Sequence, residues 1–195
     1  MSDQETQQRW DKRYEGSGVG TPAPVLLENA HLLPKAGRAL DLACGMAANG
    51  MFLAEQGLEV DAWDISPVAV EKVNELGRQR GLNITAKACD LGQEKIPKAN
   101  YDVLICCHFL ERGLTQAIVD ALKPGGLLFY QTFTQTAVNP GGPEKAEWRL
   151  ADQELLTMFQ PFKVLVYREE GVQGDTTRGF RDKALIVAKK ETTIC

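Results

Sequence analysis

Two hydrophobic rhythms alternate along the chain. In "RALDLA", from Arg38 to Ala43, apolar residues surround one acid in the manner of a strand, and the following run from about Ala47 to Gln56 places Met51, Phe52 and Ala54 at helical spacing. "EVDAWD", from Glu59 to Asp64, is a second strand. The next helix is bracketed by its own signals: Ser66 as N-cap, Pro67 at the first helical position, and Gly81 just beyond Arg80. "NITAKACD" reads as a third strand, and "YDVLICCHFL" as a fourth, apolar almost throughout as expected of a parallel strand covered on both faces. "LTQAIVDALKPGG" predicts a helix stopped at Pro124, followed by the strand "GLLFYQTF". A loop with "NPGGP" leads to a helix from about Ala151 to Phe159 and to two last strands, "KVLVYREE" and "KALIVAKK". Ahead of all this lie a polar start, a Gly/Pro-rich loop from Gly16 to Pro24, and a short helix in "VLLENAHLLPKAG" stopped near Pro34.

Strands and helices alternating five times predict an α/β fold: a mostly parallel, seven-stranded, Rossmann-like sheet with right-handed crossovers and helices on both faces. Two final strands joined without a helix predict a terminal antiparallel strand. At 195 residues the expectation is a single domain, residues 1–195, with 1–37 as an N-terminal cap and 38–195 as the core. The N-terminus lacks the apolar run of a secretory signal and no stretch is long enough to span a bilayer, so a cytoplasmic location is expected. A net charge of -4 with scattered Lys and Arg argues against nucleic acid as a partner. The five cysteines (Cys44, Cys89, Cys106, Cys107, Cys195) are odd in number and show no CxxC spacing, which argues against a disulfide framework or a metal site. Cys106 and Cys107, being adjacent in a strand, point to opposite sheet faces and cannot chelate together.

In such a sheet ligands bind beyond the carboxyl ends of the strands. Those ends carry Asp41, Asp64, Asp90 and His108. A dinucleotide fingerprint needs glycines where "ACGMAANG" offers Ala43 and Ala47, and Asp41 enters the turn where a pyrophosphate charge would lie. A nicotinamide-dependent oxidoreductase is therefore the weaker reading. An adenosyl ligand with an ammonium group, a ribose diol and no phosphate suits the same residues: Asp41 beside the close backbone approach at Gly45, Asp64 for the ribose hydroxyls, and Asp90 with the Leu91 amide for adenine.

With these motifs in order, the sequence resembles the class I S-adenosylmethionine-dependent methyltransferases from about Arg38 to Lys189. "LDLACG" is similar to their first motif, "DAWDIS" to the ribose acid and "ACDL" to the adenine-side acid, while "WDKRY" near the N-terminus resembles the small bacterial tellurite-resistance and thiopurine methyltransferase-like branch. The resemblance implies S-adenosylmethionine as cofactor, S-adenosylhomocysteine as product, and a segment carrying Trp10 and Tyr14 folded over them. It completes an expected cofactor site of Trp10, Tyr14, Asp41, Ala43, Cys44, Gly45, Asp64, Ile65, Asp90, Leu91 and Cys106.

Methyl transfer from a sulfonium gains most from alignment and exclusion of water, so no catalytic dyad is required. His108 is the candidate to accept a proton or orient the acceptor, and Arg178 the candidate to clamp an oxyanion or carboxylate. Gln131, Thr132 and Phe133 are expected to line the acceptor pocket, with Trp148 or Arg149 contributing from the loop that follows. The expected function is methyl transfer to a small molecule such as a thiol or a metalloid oxyanion, with a non-catalytic cofactor-binding protein as the alternative.

Overall fold

A computed structural model describes residues 3–191. The seven strands are β1 (Arg38–Leu42), β2 (Glu59–Asp64), β3 (Ile84–Ala88), β4 (Tyr101–Cys107), β5 (Leu122–Phe133), β6 (Phe162–Glu169) and β7 (Lys183–Lys190). They form one sheet in the order β3-β2-β1-β4-β5-β7-β6. β1 to β5 run parallel, and β7 is antiparallel to both β5 and β6. The antiparallel strand that ends the fold in sequence therefore lies inside the sheet, and β6 forms the edge. The order reverses between β1 and β4, and such folds bind ligands in the crevice beyond the carboxyl ends of the strands at that point.

Six helices flank the sheet: α1 (Asp3–Glu15), α2 (Pro24–Leu27), α3 (Ala48–Glu55), α4 (Pro67–Arg80), α5 (Thr115–Ala121) and α6 (Glu154–Met158). Alternation along the strands sends two sets of side chains to two cores. Ala39, Val60, Val103, Ile105, Phe129, Leu185 and Val187 pack with residues of α2, α3 and α4, whereas Leu40, Leu42, Leu104, Cys106, Leu128, Tyr130 and Ile186 pack with Ile118 and Leu155 of α5 and α6. Cys106 and Cys107 fall into opposite cores, as their adjacency requires. Cys195 lies outside the described residues.

α4 has the predicted bounds. The Ala69 amide donates to Ser66 Oγ at 3.2 Å, and Gly81 closes the helix at φ 65°. Two expectations change. The polar start is a 13-residue helix, α1, which packs on α4. The helix expected to run to Pro124 stops at Ala121, because the residue before a proline avoids the helical region and Leu122 already opens β5 in extended geometry.

Candidate functional site

The turn between β1 and α3 repeats one unusual conformation. Ala43, Gly45 and Ala47 have φ of 52°, 53° and 51°. The backbone thus keeps a left-handed residue at every second position, and alanine occupies two of them at a cost of about 1–2 kcal/mol each. The turn is drawn onto the neighbouring strand by Asp64, which accepts from the Gly45 amide at 2.8 Å and from the Ser66 amide at 2.9 Å. Both sides of the β1–β2 cleft are thereby held by one carboxylate.

Asp41 is 1% exposed. Its Oδ2 accepts from the Gly50 amide at 2.8 Å, and its Oδ1 is buried without a partner. Burial, and secondarily the charge of Asp64, push its carboxyl up to about 7 despite the Gly50 amide. Asp64 is also raised, by burial first. A buried acceptor oxygen beside a second acid is a poor place for a phosphate and a good one for an ammonium.

α1 lies over this turn. Tyr14 hangs so close to Gly45 that a Cβ there would stand 2.6 Å from its hydroxyl. Trp10 stacks on Tyr14 with ring centroids 5.6 Å apart. The helix is tied down by Ser66 Oγ, which donates to Asp11, and by the Lys72 ammonium, which donates to the Tyr14 and Glu15 carbonyls at 2.5 and 2.6 Å. Beside its N-terminal half runs a groove of about 320 Å³ lined by Gln4, Gln7, Ile65, Pro67, Ala88, Cys89, Asp90 and Gln93. Asp90 folds back on its own loop, accepting from the Gly92 amide and the Gln93 side chain, both at 2.9 Å. Leu91 is buried beneath it. A larger concavity of about 710 Å³, lined by Asp102, Pro124, Lys163 and Lys189 among others, sits at the opposite end of the strands, away from every candidate residue.

These positions collect into one tract. Trp10, Tyr14, Asp41, Ala43, Cys44, Gly45, Asp64, Ile65, Asp90 and Leu91 follow the carboxyl ends of β1, β2 and β3 with α1 above. Cys106 stands apart from the tract: its side chain is fully buried in the α5–α6 core, on the sheet face opposite Asp41. Burial pushes its thiol up to about 12, so it is neither exposed nor ionised. Cys44 is half-buried, and its thiol is likewise pushed up, by desolvation and by Asp41 and Asp64. Among the described residues no group of His, Cys, Asp and Glu is arranged to hold a metal ion.

Beyond β4 the chain turns at His108, φ 59°, whose amide donates to the Gln131 carbonyl at 2.8 Å. Its ring sits 5.5 Å from that of Phe133 at the mouth of the crevice. Desolvation and the nearby Lys183 push its imidazole down to about 4, so it is neutral at ordinary pH. Gln131 and Phe133 share the face of β5 that carries Phe129, and Thr132 lies on the other. Gln131 Oε1 accepts from the Val25 amide at 3.1 Å, and its Nε2 is buried without a partner.

The loop candidates separate. Arg149 holds the loop together rather than facing a ligand: it donates to the Pro143 and Thr134 carbonyls at 2.7 and 3.0 Å and to the Gly141 carbonyl. Trp148 is covered by the Lys145 ammonium, 4.8 Å from its ring. Arg178 is exposed on the β6–β7 loop, and among the described residues no contact joins it to His108. The cation beside His108 is Lys183, on which the sequence reading was silent. Its signal was a strand-initial lysine directly opposite Phe133, visible only once the β5–β7 register was known.

Residues 39–126 match the methyltransferase domain family. The chain is 30% identical over 137 residues to a ubiquinone biosynthesis O-methyltransferase of Xanthomonas axonopodis pv. citri, covering 65% of this chain and 56% of that one. It is 27% identical to a probable S-adenosyl-L-methionine-dependent methyltransferase, TehB, of Haemophilus influenzae, over 68% of this chain and 48% of the relative. The crystal structure of that TehB superposes with a TM-score of 0.72 at 21% identity, covering 95% of this chain and 67% of the other. The chain thus spans about half the length of the curated relatives it matches. The fold, the tract of acids along β1 to β3 and the family match point the same way: residues 39–126 are similar to the methyltransferase domain family, in a chain similar to TehB.

Proposed function

We propose that the chain transfers the methyl group of S-adenosylmethionine to a small-molecule acceptor by in-line displacement. When bound, the cofactor supplies an electrophilic methyl on a sulfonium. The observation that carries the reading is Asp41, a fully buried carboxylate with one oxygen left free at the switch point of the sheet. That oxygen suits the ammonium of the amino-acid portion. Asp64 has spare lone pairs on both oxygens for the ribose hydroxyls, since each accepts one backbone amide. The groove between Ile65, Pro67 and Asp90 suits the adenine. Tyr14 and Trp10, folded over Gly45, exclude water from the tract.

His108 is held neutral and stands at the rim on the acceptor side, where its ring nitrogen orients the acceptor by accepting a hydrogen bond, the downward shift making it a weak base. A thiol or a metalloid oxyanion suits the arrangement, as both react without a strong base. Positioning and desolvation supply most of the acceleration. Residues 1–37 act as a cap on a single catalytic unit.

Calorimetric titration tests the cofactor assignment: S-adenosylhomocysteine is expected to bind and NAD is not, and the reverse result overturns it. Turnover is read by feeding methyl-labelled S-adenosylmethionine with thiols, metalloid oxyanions, phenols and carboxylates. Label transfer to one class and not to the others is the expected outcome. Tight S-adenosylhomocysteine binding with no transfer to any of them would instead favour a non-catalytic binder.

A further inference from the structure

On the methyltransferase reading, we propose that Lys183 is the anchor for a negatively charged group on the methyl acceptor, which it holds over Phe133 beside His108. Four observations carry this. First, the register of β5 and β7 sets Lys183 opposite Phe133, and its ammonium lies 5.1 Å from the centre of that ring. The same ring is 5.5 Å from the imidazole of His108. Lys183, Phe133 and His108 therefore meet at the carboxyl ends of β4 and β5, adjacent to the crevice that holds Asp41 and Gly45.

Second, Lys183 makes no close ion pair among the described residues; its charge reaches the neighbouring Asp182 only through space, helping to hold that carboxyl down. Among the described residues its ammonium has no carboxylate within ion-pairing distance, whereas Lys87, Lys98, Lys123 and Arg112 each have one. The adjacent acid, Asp182, directs its oxygens elsewhere, accepting from the Val138 and Asn139 amides at 2.5 and 3.0 Å and from the Asn139 side chain at 2.8 Å.

Third, the other cation over Phe133 is already engaged by backbone carbonyls. Arg149 lies 5.8 Å from the ring centre, but its N–H groups go to the carbonyls of Pro143, Thr134 and Gly141. Fourth, His108 is kept neutral and Arg149 is engaged by carbonyls, which leaves Lys183 as the cation beside Phe133 with no hydrogen-bonded partner among the described residues. A partly desolvated, unpaired ammonium is costly, and an incoming anion offsets that cost. The cation also favours the ionised form of an acidic acceptor, which is the nucleophilic form for oxygen, sulfur or a metalloid oxyanion.

The test uses benzoate as an anionic probe and benzyl alcohol as its neutral counterpart. The chain has two histidines, so the His108 imidazole resonance is assignable by comparison with a His31→Gln variant. Each probe is titrated with and without S-adenosylhomocysteine, while S-adenosylhomocysteine affinity is measured separately by calorimetry. Benzoate is expected to move the His108 resonance and raise its titration midpoint, and benzyl alcohol to leave both in place. Lys183→Gln should weaken benzoate binding about tenfold, and Lys183→Arg should retain it. Equal response to the two probes, an unchanged benzoate affinity in Lys183→Gln, or no response to benzoate in the native protein overturns the anchor. Failure of the native protein to bind S-adenosylhomocysteine counts against the methyltransferase reading instead. In Lys183→Gln, unchanged S-adenosylhomocysteine affinity shows that the variant is folded.

Discussion

At the scale of single residues, the turn after β1 holds both strain and charge. Ala43 adopts a left-handed conformation that glycine reaches freely, so Ala43→Gly should stabilise the protein by about 0.5 kcal/mol in chemical denaturation, against the usual direction for that substitution. Gly45 is the opposite case. Gly45→Ala brings a Cβ within 2.6 Å of the Tyr14 hydroxyl at a positive φ, and should lower both stability and S-adenosylhomocysteine affinity. The acids could be read from sequence because they end strands, but their inequality could not. Asp64 has a partner on each oxygen and Asp41 on one only. Because burial raises the folded-state value of Asp41 to about 7, its contribution to stability is present in full below the ordinary carboxylate range and is lost as pH rises through about 7. The loss is on the order of 4 kcal/mol at most. Asp41→Asn should therefore flatten the fall in melting temperature between pH 5 and 8 that the ligand-free native protein shows. In the native protein, affinity for the cofactor's ammonium should rise over the same interval, as the carboxylate ionises.

At the scale of elements, α4 could be read to the residue because its boundaries are set locally by Ser66, Pro67 and Gly81. α1 could not, since its few apolar side chains are useful only against α4 and the turn at Gly45. The pair Trp10 and Tyr14, four residues apart on one helical face, was the available hint. Lys72 donates to the last carbonyls of α1, so Lys72→Ala should cost several-fold in S-adenosylhomocysteine affinity while leaving the melting temperature of the ligand-free protein nearly unchanged. The segment after β5 was expected to be a loop contributing Trp148 or Arg149 to the acceptor pocket, and its tethers were invisible in the sequence because each spans a long separation. Arg112 bonds to the Glu147 and Arg149 carbonyls and to Glu154, while Asp182 caps Val138 and Asn139. Arg149→Ala frees three carbonyls and should speed hydrogen exchange across residues 136–148 without affecting β4 or β5.

At the scale of the whole molecule, the alternating pattern gave the parallel half of the sheet and the two cores, because period-2 patterning and covered strands are local properties. The position of β7 between β5 and β6 is a long-range choice, and with it went the identity of the cation beside His108. A ligand that binds only the folded form at about 100 times its dissociation constant adds about 2.7 kcal/mol. S-adenosylhomocysteine at that ratio should thus raise the melting temperature by roughly 5–10 °C, and NAD should leave it in place. The placement of β7 also bears on synthesis. β6 emerges with no neighbour to pair with, and β5 keeps one open edge, until the chain has been made as far as Lys190. A ribosome-bound intermediate that ends before β7 therefore exposes sticky edges on both β5 and β6, so its solubility depends on the arrival of that strand.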